Sequence, residues 1–268
     1  MKVSFVIVNY KSKKYLEKCI LSIAKKAIEL DFEIIVVNND KEKLESFGKI
    51  EKYLNKINII EINENVGFSR ANNIGAKKSR GDILCFLNPD ANFISDTIVD
   101  LIKEFDANNE IGVIGPKVLK EGKIQPWSVG VDMDIFEILR SKFGFSKSKR
   151  LWNSNKKTEV DWVSGVSLFV KKELFLLEGG FDENFFLYYE DVDLCKRIRK
   201  MNKKVIYFPF FEVAHLEGGS SCGKSKQKNE YFKSQNYFYE KWFNRKFLWI
   251  LKFFRFFYKL RYWVIRHN

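Results

Sequence analysis

The sequence predicts an α/β fold: a mixed, mainly parallel sheet with helices on both faces, followed by an aromatic and basic helical tail. Three observations carry this expectation. Short β-branched apolar runs alternate with stretches of helical periodicity over residues 3–114, the order that winds helices around a parallel sheet. Polar residues stand directly behind four of those runs. Hydrophobic residues make up 46% of 268, enough for one large core, which excludes a disordered chain.

Residues 3–8 form the first strand, closing on Asn9-Tyr10. Tyr15, Leu16, Cys19, Ile20 and Ile23 then recur at helical spacing behind Ser12, a cap residue. The second strand, 33–37, ends at Asn38-Asn39-Asp40, and the third, 57–62, is followed by Asn63, Asn65 and Gly67. A helix over 69–78 leads to a strand at 83–87 that stops at Asn88-Pro89-Asp90. A helix at 97–105 and a strand at 111–114 complete the alternating half. Residues 117–157 have weak periodicity and much Lys, Ser and Gly, and read as an irregular insertion or flexible loop. Regular signals return with the apolar stretch 160–170, a short helix at 172–177, a helix from Glu190 through Lys200 and a strand at 205–208. His215 and Gly218-Gly219-Ser220-Ser221 follow. The chain thus divides at 1–116, 117–221 and 222–268.

Several classes are disfavoured. No G-x-G-x-x-G follows the first strand and no G-x-x-x-x-G-K-[ST] occurs, which argues against a dinucleotide enzyme or a phosphate-loop ATPase. The start runs straight into a strand, so no signal peptide is expected, and no run has transmembrane length and purity. Cys19, Cys85, Cys195 and Cys222 lack metal-ligand spacing and suit a reducing cytoplasm. A net charge of +13 implies polyanionic partners: nucleic acid, anionic lipid or phosphates.

Ligands of open α/β sheets lie beyond the carboxyl ends of the strands. Those ends here carry Asn9, Asn38, Asp40, Asn65, Asn88 and Asp90. Any one of them is explained by turn preference; the set, at four strand ends, points to a site. Pro89 fixes a backbone angle and so aims Asp90 reproducibly. A hard divalent cation needs only one or two carboxylates when a diphosphate supplies further oxygens, so Asp90 is a candidate ligand for Mg²⁺ or Mn²⁺. Glu190, Asp191 and Asp193 stand at a helix start, where the dipole favours each by about 0.3–1 kcal/mol. Beside the aromatic run 185–189, desolvation would also raise proton affinity, which suits a general base. His215, next to glycines and hydroxyls, suits phosphate contact.

These stretches, in this order, resemble the inverting glycosyltransferase family 2, with the Rossmann-like GT-A fold, and within it the rhamnosyltransferase-like branch. The resemblance rests on residues 3–10, 33–39, 65–75, 86–90, 179–183, 189–193 and His215. It implies a nucleotide-sugar-binding half at 1–116 and an acceptor-binding, catalytic half at 117–221. Asp90 matches the last Asp of the family's D-x-D motif, which holds Mg²⁺ or Mn²⁺ on the donor diphosphate; the first Asp is Asn88 here. Asn38 stands where many relatives have a base-binding Asp, with Asp40 as the alternative. Asn9, Tyr10 and Asn73 fall in the nucleotide site, as do Asn65, Gly67 and Arg70 of the 65–75 stretch. Asp191 matches the catalytic base with Glu190 beside it. Trp162 and Gly165 lie near the donor sugar and acceptor, and His215 resembles the residue that closes over the metal-bound diphosphate. The implied donor is dTDP-rhamnose or a UDP-sugar, and the implied acceptor a glycan or lipid-linked saccharide of cell-surface polysaccharide synthesis. A catalytically inactive nucleotide-sugar-binding module is the alternative. A nucleic-acid partner is not expected, because it would leave the strand-end cluster unexplained.

The tail is read from its own residues. Arg245, Lys252, Lys259 and Arg266 recur every seventh residue, with Lys241 and Arg255 joining them, among eleven aromatic residues between Trp242 and Trp263. A helix here would bury aromatic surface and set basic groups against anionic headgroups. That places the protein at the cytoplasmic face of the membrane as a peripheral protein. Docking on the catalytic domain and packing in a homo-oligomer are the two alternatives.

Overall fold

The computed structural model describes residues 1–44, 53, 55–142, 144–216, 224–243 and 248–249. Strand β1 (Val3–Asn9) is apolar along nearly its whole length and buried on both faces, as a central parallel strand must be. Its neighbours β2 (Phe32–Asn38), β3 (Ile57–Glu61) and β4 (Ile83–Leu87) are all parallel to it or to one another. Helices α1 (Lys13–Lys26) and α2 (Phe68–Lys78) lie between them in the chain.

Side chains of β1 alternate between two cores. Phe5 and Ile7 face Leu16, Ile20 and Ile23 of α1 and Leu101 and Phe105 of α3 (Ile98–Ala107). Val6 and Val8 face the opposite side. There they meet Ala71 and Ala76 of α2, Phe175 of α6 (Lys172–Leu177), and Leu194 and Ile198 of α7 (Glu190–Lys200). The period of two along the strand therefore assigns each helix to a face.

Beyond β4 the sheet becomes mixed. Strand β11 (Ser167–Lys171) runs antiparallel to both β4 and β6 (Ile111–Lys120). Strand β12 (Lys204–His215) is parallel to β6 and antiparallel to the edge strand β5 (Ala91–Phe93). The order across the sheet is β3-β2-β1-β4-β11-β6-β12-β5. The sequence shows strand β12 only over 205–208, and Pro209 follows it. The structure carries it on to His215, taking up the break as a register shift between Phe208 and Glu212. That continuation is what brings His215 beside Ala91.

The expectation of an irregular insertion at 117–157 is corrected. Strand β6 extends to Lys120 and turns back as β7 (Lys123–Ile124). Then come β8 (Val129–Gly130), α4 (Ile135–Lys142), α5 (Ser148–Trp152) and β9 (Thr158–Val160). Strand β8 pairs with β10 (Trp162–Val163) in a separate two-stranded sheet. Buried Glu137 organises the segment by accepting hydrogen bonds from Ser146 Oγ (2.5 Å) and from Ser148 N and Oγ (3.1 and 3.0 Å).

Helix α8 (Lys224–Trp242) begins the tail and docks on the domain, with Phe238 and Tyr239 fully buried. Lys241, expected in an exposed basic stripe, instead forms ion pairs with Asp182 (2.6 Å) and Asp193 (2.8 Å). Arg245, Lys252, Arg255, Lys259 and Arg266 lie outside the described residues, as do Gly218, Gly219, Ser220 and Ser221. Among the described residues no helix is long and apolar enough to cross a membrane.

Candidate active site

The carboxyl ends of β1, β2 and β3 are in register, which stacks Asn9, Asn38 and Glu61 side by side. Their side chains form a chain of hydrogen bonds. Asn9 Nδ2 donates to Asn38 Oδ1 (2.8 Å), and Asn38 Nδ2 donates to Glu61 Oε2 (2.6 Å). Asn9 and Asn38 are buried, so their polar atoms brace the strand ends. Asn39 braces the neighbouring loop in the same way: its Oδ1 accepts from Val66 N (2.9 Å) and its Nδ2 reaches Asn65 Oδ1 (3.1 Å). Asn65 in turn receives Gly67 N (3.0 Å). Gly67 has φ +91°, and a Cβ there would stand 2.7 Å from the Phe186 ring, so only glycine suits the position. More accessible are Tyr10 and Asp40, whose Oδ2 holds the Lys11 N–H at 3.1 Å. Sequence reasoning does not single out Asn39 and Glu61; the run Asn38-Asn39-Asp40 is the available signal.

Helix α2 joins this shelf to the second half of the molecule. Asn73 donates to Phe181 O (2.8 Å) and Glu183 Oε1 (3.0 Å) and accepts from Phe181 N (2.9 Å). Arg70 is more exposed and lies 3.9 Å from Glu183.

The pairing of β5 with β12 assembles the next cluster. His215 Nε2 lies 3.2 Å from Asp90 Oδ1 and 3.4 Å from Asn88 Nδ2, and both Asp90 and His215 are buried. His215 Nδ1 lies 2.8 Å from Gln125 Oε1. An amide oxygen is an acceptor, so this contact places the imidazole proton on Nδ1. In the neutral ring Nε2 then presents a lone pair beside the Asp90 carboxylate. That lone pair can accept from Asn88 Nδ2 or be lent, with the Asp90 carboxylate, to a cation beside both. The 3.2 Å separation is close to that of adjacent ligands around an octahedral cation with bonds of about 2.1 Å. Asp90 and His215 therefore fit a divalent cation that keeps other positions for a substrate. Among the described residues no group of three or more His, Cys, Asp or Glu is placed to hold a metal alone. Gln125 is not foreseeable, since nothing local marks a Gln in a loop.

The third cluster stands at the start of α7. Tyr188 and Tyr189 both have left-handed backbone, φ +73° and +70°, immediately before the helix. Consecutive bulky residues in that region store strain that surrounding contacts must hold. The three acids behind them have three different environments. Asp193 is fully buried and takes Arg197 Nε and Trp242 Nε1, each at 2.8 Å, together with Lys241. Glu190 is buried, and its Oε2 has no hydrogen-bond partner among the described residues. Burial first, and the charge of Asp191 second, push its carboxyl well above the usual range. Asp191 is partly exposed; its Oδ2 accepts from Gly165 N (2.7 Å) and its Oδ1 from Val192 N (2.8 Å). Burial raises its pKa, and these backbone donors oppose the rise. A Cβ at Gly165 would come no closer than 3.6 Å to any atom, Asp191 Oδ2 among the nearest. The Phe68 ring lies equally near, so the Gly165 backbone stands in direct contact distance of both that ring and the carboxylate.

Trp162 is buried, its Nε1 donating to Val131 O (2.8 Å) and its ring lying against Gly130. Its surface is spent on the interior, whereas Gly165 adjoins the carboxylate directly. Helix α8 backs the cluster. Gln235 Nε2 donates to the Tyr189 hydroxyl (2.7 Å), and Ser234 Oγ donates to Leu187 O (2.8 Å).

Residues 4–175 match the family described as Glycosyl transferase family 2. The chain is 25% identical over 215 residues to the O-antigen biosynthesis protein RfbC of Myxococcus xanthus, covering 76% of this chain and 16% of that protein. It is also 25% identical over 236 residues to the N-acetylglucosaminyl-diphospho-decaprenol L-rhamnosyltransferase of Mycobacterium tuberculosis, covering 81% and 76%. Among solved structures, GalNAc-T7 with UDP, GalNAc and Mn²⁺ superposes with a TM-score of 0.63 at 18% identity, over 81% of this chain and 45% of that one. That likeness shows the same GT-A fold.

Proposed function

Since the chain belongs to glycosyl transferase family 2, we propose that it is an inverting, metal-dependent transferase. It would move a sugar from a nucleoside diphosphate donor, dTDP-rhamnose or a UDP-sugar, to a saccharide acceptor of cell-surface polysaccharide synthesis. The shelf at Asn9, Tyr10, Asn38, Asp40, Asn65, Gly67, Arg70 and Asn73 receives the nucleotide. Asn88, Asp90 and His215 receive the diphosphate. A divalent cation held by Asp90 and His215 would offset charge on the leaving diphosphate. The rhamnosyl relative favours the lipid-linked acceptor. An acceptor of that kind suits a peripheral protein at the cytoplasmic face of a membrane.

The observation that carries the reading is the division of labour at the start of α7. Asp193 is consumed by ion pairs and Glu190 is enclosed, its proton affinity raised by burial and by Asp191, while Asp191 keeps a partly exposed carboxylate oriented by the Gly165 backbone. A carboxylate of raised proton affinity, oriented by backbone donors, suits a general base. Asp191 takes the proton of the acceptor hydroxyl as that oxygen bonds to the anomeric carbon. The bond from that carbon to the diphosphate oxygen breaks on the opposite side, its electrons leaving with the diphosphate, and configuration inverts.

The test compares Asp191→Asn with wild type, using nucleotide-sugar turnover with a saccharide acceptor and calorimetric titration of UDP and dTDP. Transfer should fall by about 10²–10⁴-fold with nucleotide affinity unchanged. Near-normal transfer by the variant overturns the assignment.

A further inference from the structure

We propose that Trp127 is the platform on which a pyranose ring of the acceptor stacks, an inference that rests on the glycosyltransferase reading. A single exposed apolar side chain needs no explanation by itself. What distinguishes Trp127 is how it is held and what it lies between. Its backbone is left-handed, φ +60°, an unusual state for a bulky residue without a local polar side chain to support it. The residue is 40% exposed and its ring meets Trp152 edge-on, with centroids 5.4 Å apart and planes at 65°. Trp152 is itself fixed by its Nε1, which donates to Val129 O at 2.8 Å. The chain therefore spends strain to present a wide aromatic surface to solvent, and then braces that surface from the side.

The position of the loop gives the surface its use. Gln125, two residues before Trp127, contacts His215 Nδ1 (2.8 Å) at the diphosphate end of the site. Ser128, the next residue, accepts from Ser164 N (2.9 Å), and the adjoining Gly165 N binds the base carboxylate of Asp191 (2.7 Å). Ser128 Oγ closes the loop on Gln125 O (2.9 Å). Trp127 thus stands on the short span that connects the leaving-group end to the proton-accepting end. On the glycosyltransferase reading the acceptor approaches this side of the site, where its hydroxyl meets Asp191.

The chemistry of a sugar matches that surface. One face of a pyranose carries axial C–H groups, weakly positive and apolar, while its rim carries hydroxyls. An indole face is negative and apolar. Stacking the two buries the C–H face and leaves the rim hydroxyls free to point at Asp191. Trp162 cannot do this, because its ring is buried against Gly130.

The experiment uses the full chain with UDP and Mn²⁺. Sub-micellar octyl β-D-glucoside, octyl N-acetyl-β-D-glucosaminide and octyl α-L-rhamnoside serve as probes, observed by saturation-transfer NMR. With wild type, at least one glycoside should show its strongest transfer at ring C–H protons of one face. Trp127→Ala should weaken that binding by roughly tenfold, whereas Trp127→Phe should keep most of it. Trp127→Asn, a residue at ease with positive φ, removes the ring without strain and should behave as the Ala variant. UDP affinity should be unchanged in all three. Wild type that binds UDP but shows no ring saturation overturns the inference. So does saturation confined to the octyl chain, or a Trp127→Asn variant that binds as well as wild type. Wild type that binds no nucleotide with Mn²⁺ brings down the glycosyltransferase reading and this inference with it.

Discussion

Gln235 of α8 donates a hydrogen bond to the hydroxyl of Tyr189, 2.7 Å away and 46 positions earlier in the chain. Tyr189 caps α7 in a left-handed conformation, and Glu190 and Asp191 follow it directly. The start of the tail is thereby fastened to the turn that presents the base. Gln235→Ala should cost about 1 kcal/mol of stability and lower the transfer rate several-fold, leaving KM for the donor unchanged. Gln235→Glu, which can still pair with the hydroxyl, should recover some of the rate. Thermal melting and steady-state kinetics measure both effects; a KM change without a rate change would argue for a merely structural contact.

Glu190 makes a prediction about pH. Its carboxyl is raised well above the ordinary 4.5, chiefly by burial. The folded chain therefore holds this proton over a range in which the unfolded chain has released it. Stability from this group is complete below pH 4.5 and is lost as pH rises through the raised value. Glu190→Gln removes the titration. Its melting temperature should match wild type at about pH 4 and exceed it in mildly alkaline buffer, so the variant's pH profile is flatter. Its transfer rate should fall much less than that of Asp191→Asn.

Asp90 and His215 predict a metal-dependent response to nucleotide. In wild type, UDP with Mn²⁺ at about 100 times Kd should stabilise the fold by about 2.7 kcal/mol, and EDTA should reverse most of the shift. Asp90→Ala and His215→Ala should each lose the Mn²⁺-dependent component while remaining folded. An undiminished Mn²⁺ response in Asp90→Ala would remove it from the site.

The tail is best cut after Phe243. A chain ending there keeps Lys241 on Asp182 and Asp193 and Trp242 on Asp193. It should fold and bind nucleotide as full-length protein does, but no longer sediment with anionic liposomes. A chain ending at Glu240 removes partners of the buried Asp193 and should be less stable by about 3–5 kcal/mol. Docking of α8 should also weaken in acid. Burial works to raise the Asp182 carboxyl, but hydrogen bonds from Lys241, Asn184 and Tyr237 outweigh it and hold it at about 2. That contribution is present above the ordinary 3.8 and fades as pH falls toward 2.

The sequence by itself determined the alternating half of the fold, because a buried parallel strand and an amphipathic helix each have a period that a short window displays. It also determined where acids and amides stand relative to strand ends and helix starts, as at Asp90 and Asp191. It did not reveal β7, β8 and β10: strands of two residues have no period, and their partners are not marked by any local pattern. Nor did it show that the interior takes the Trp162 ring while Trp127 stays exposed, since composition is silent on which indole is buried. Only the tertiary structure brought His215 to Asp90 and Gln125, through a strand that continues past Pro209. It alone gave Glu190, Asp191 and Asp193 three distinct fates at one helix start. Residue type fixes which protons and ligands a side chain can offer, but burial and the nearest charge decide whether it offers them. Both of those depend on neighbours that only folding supplies.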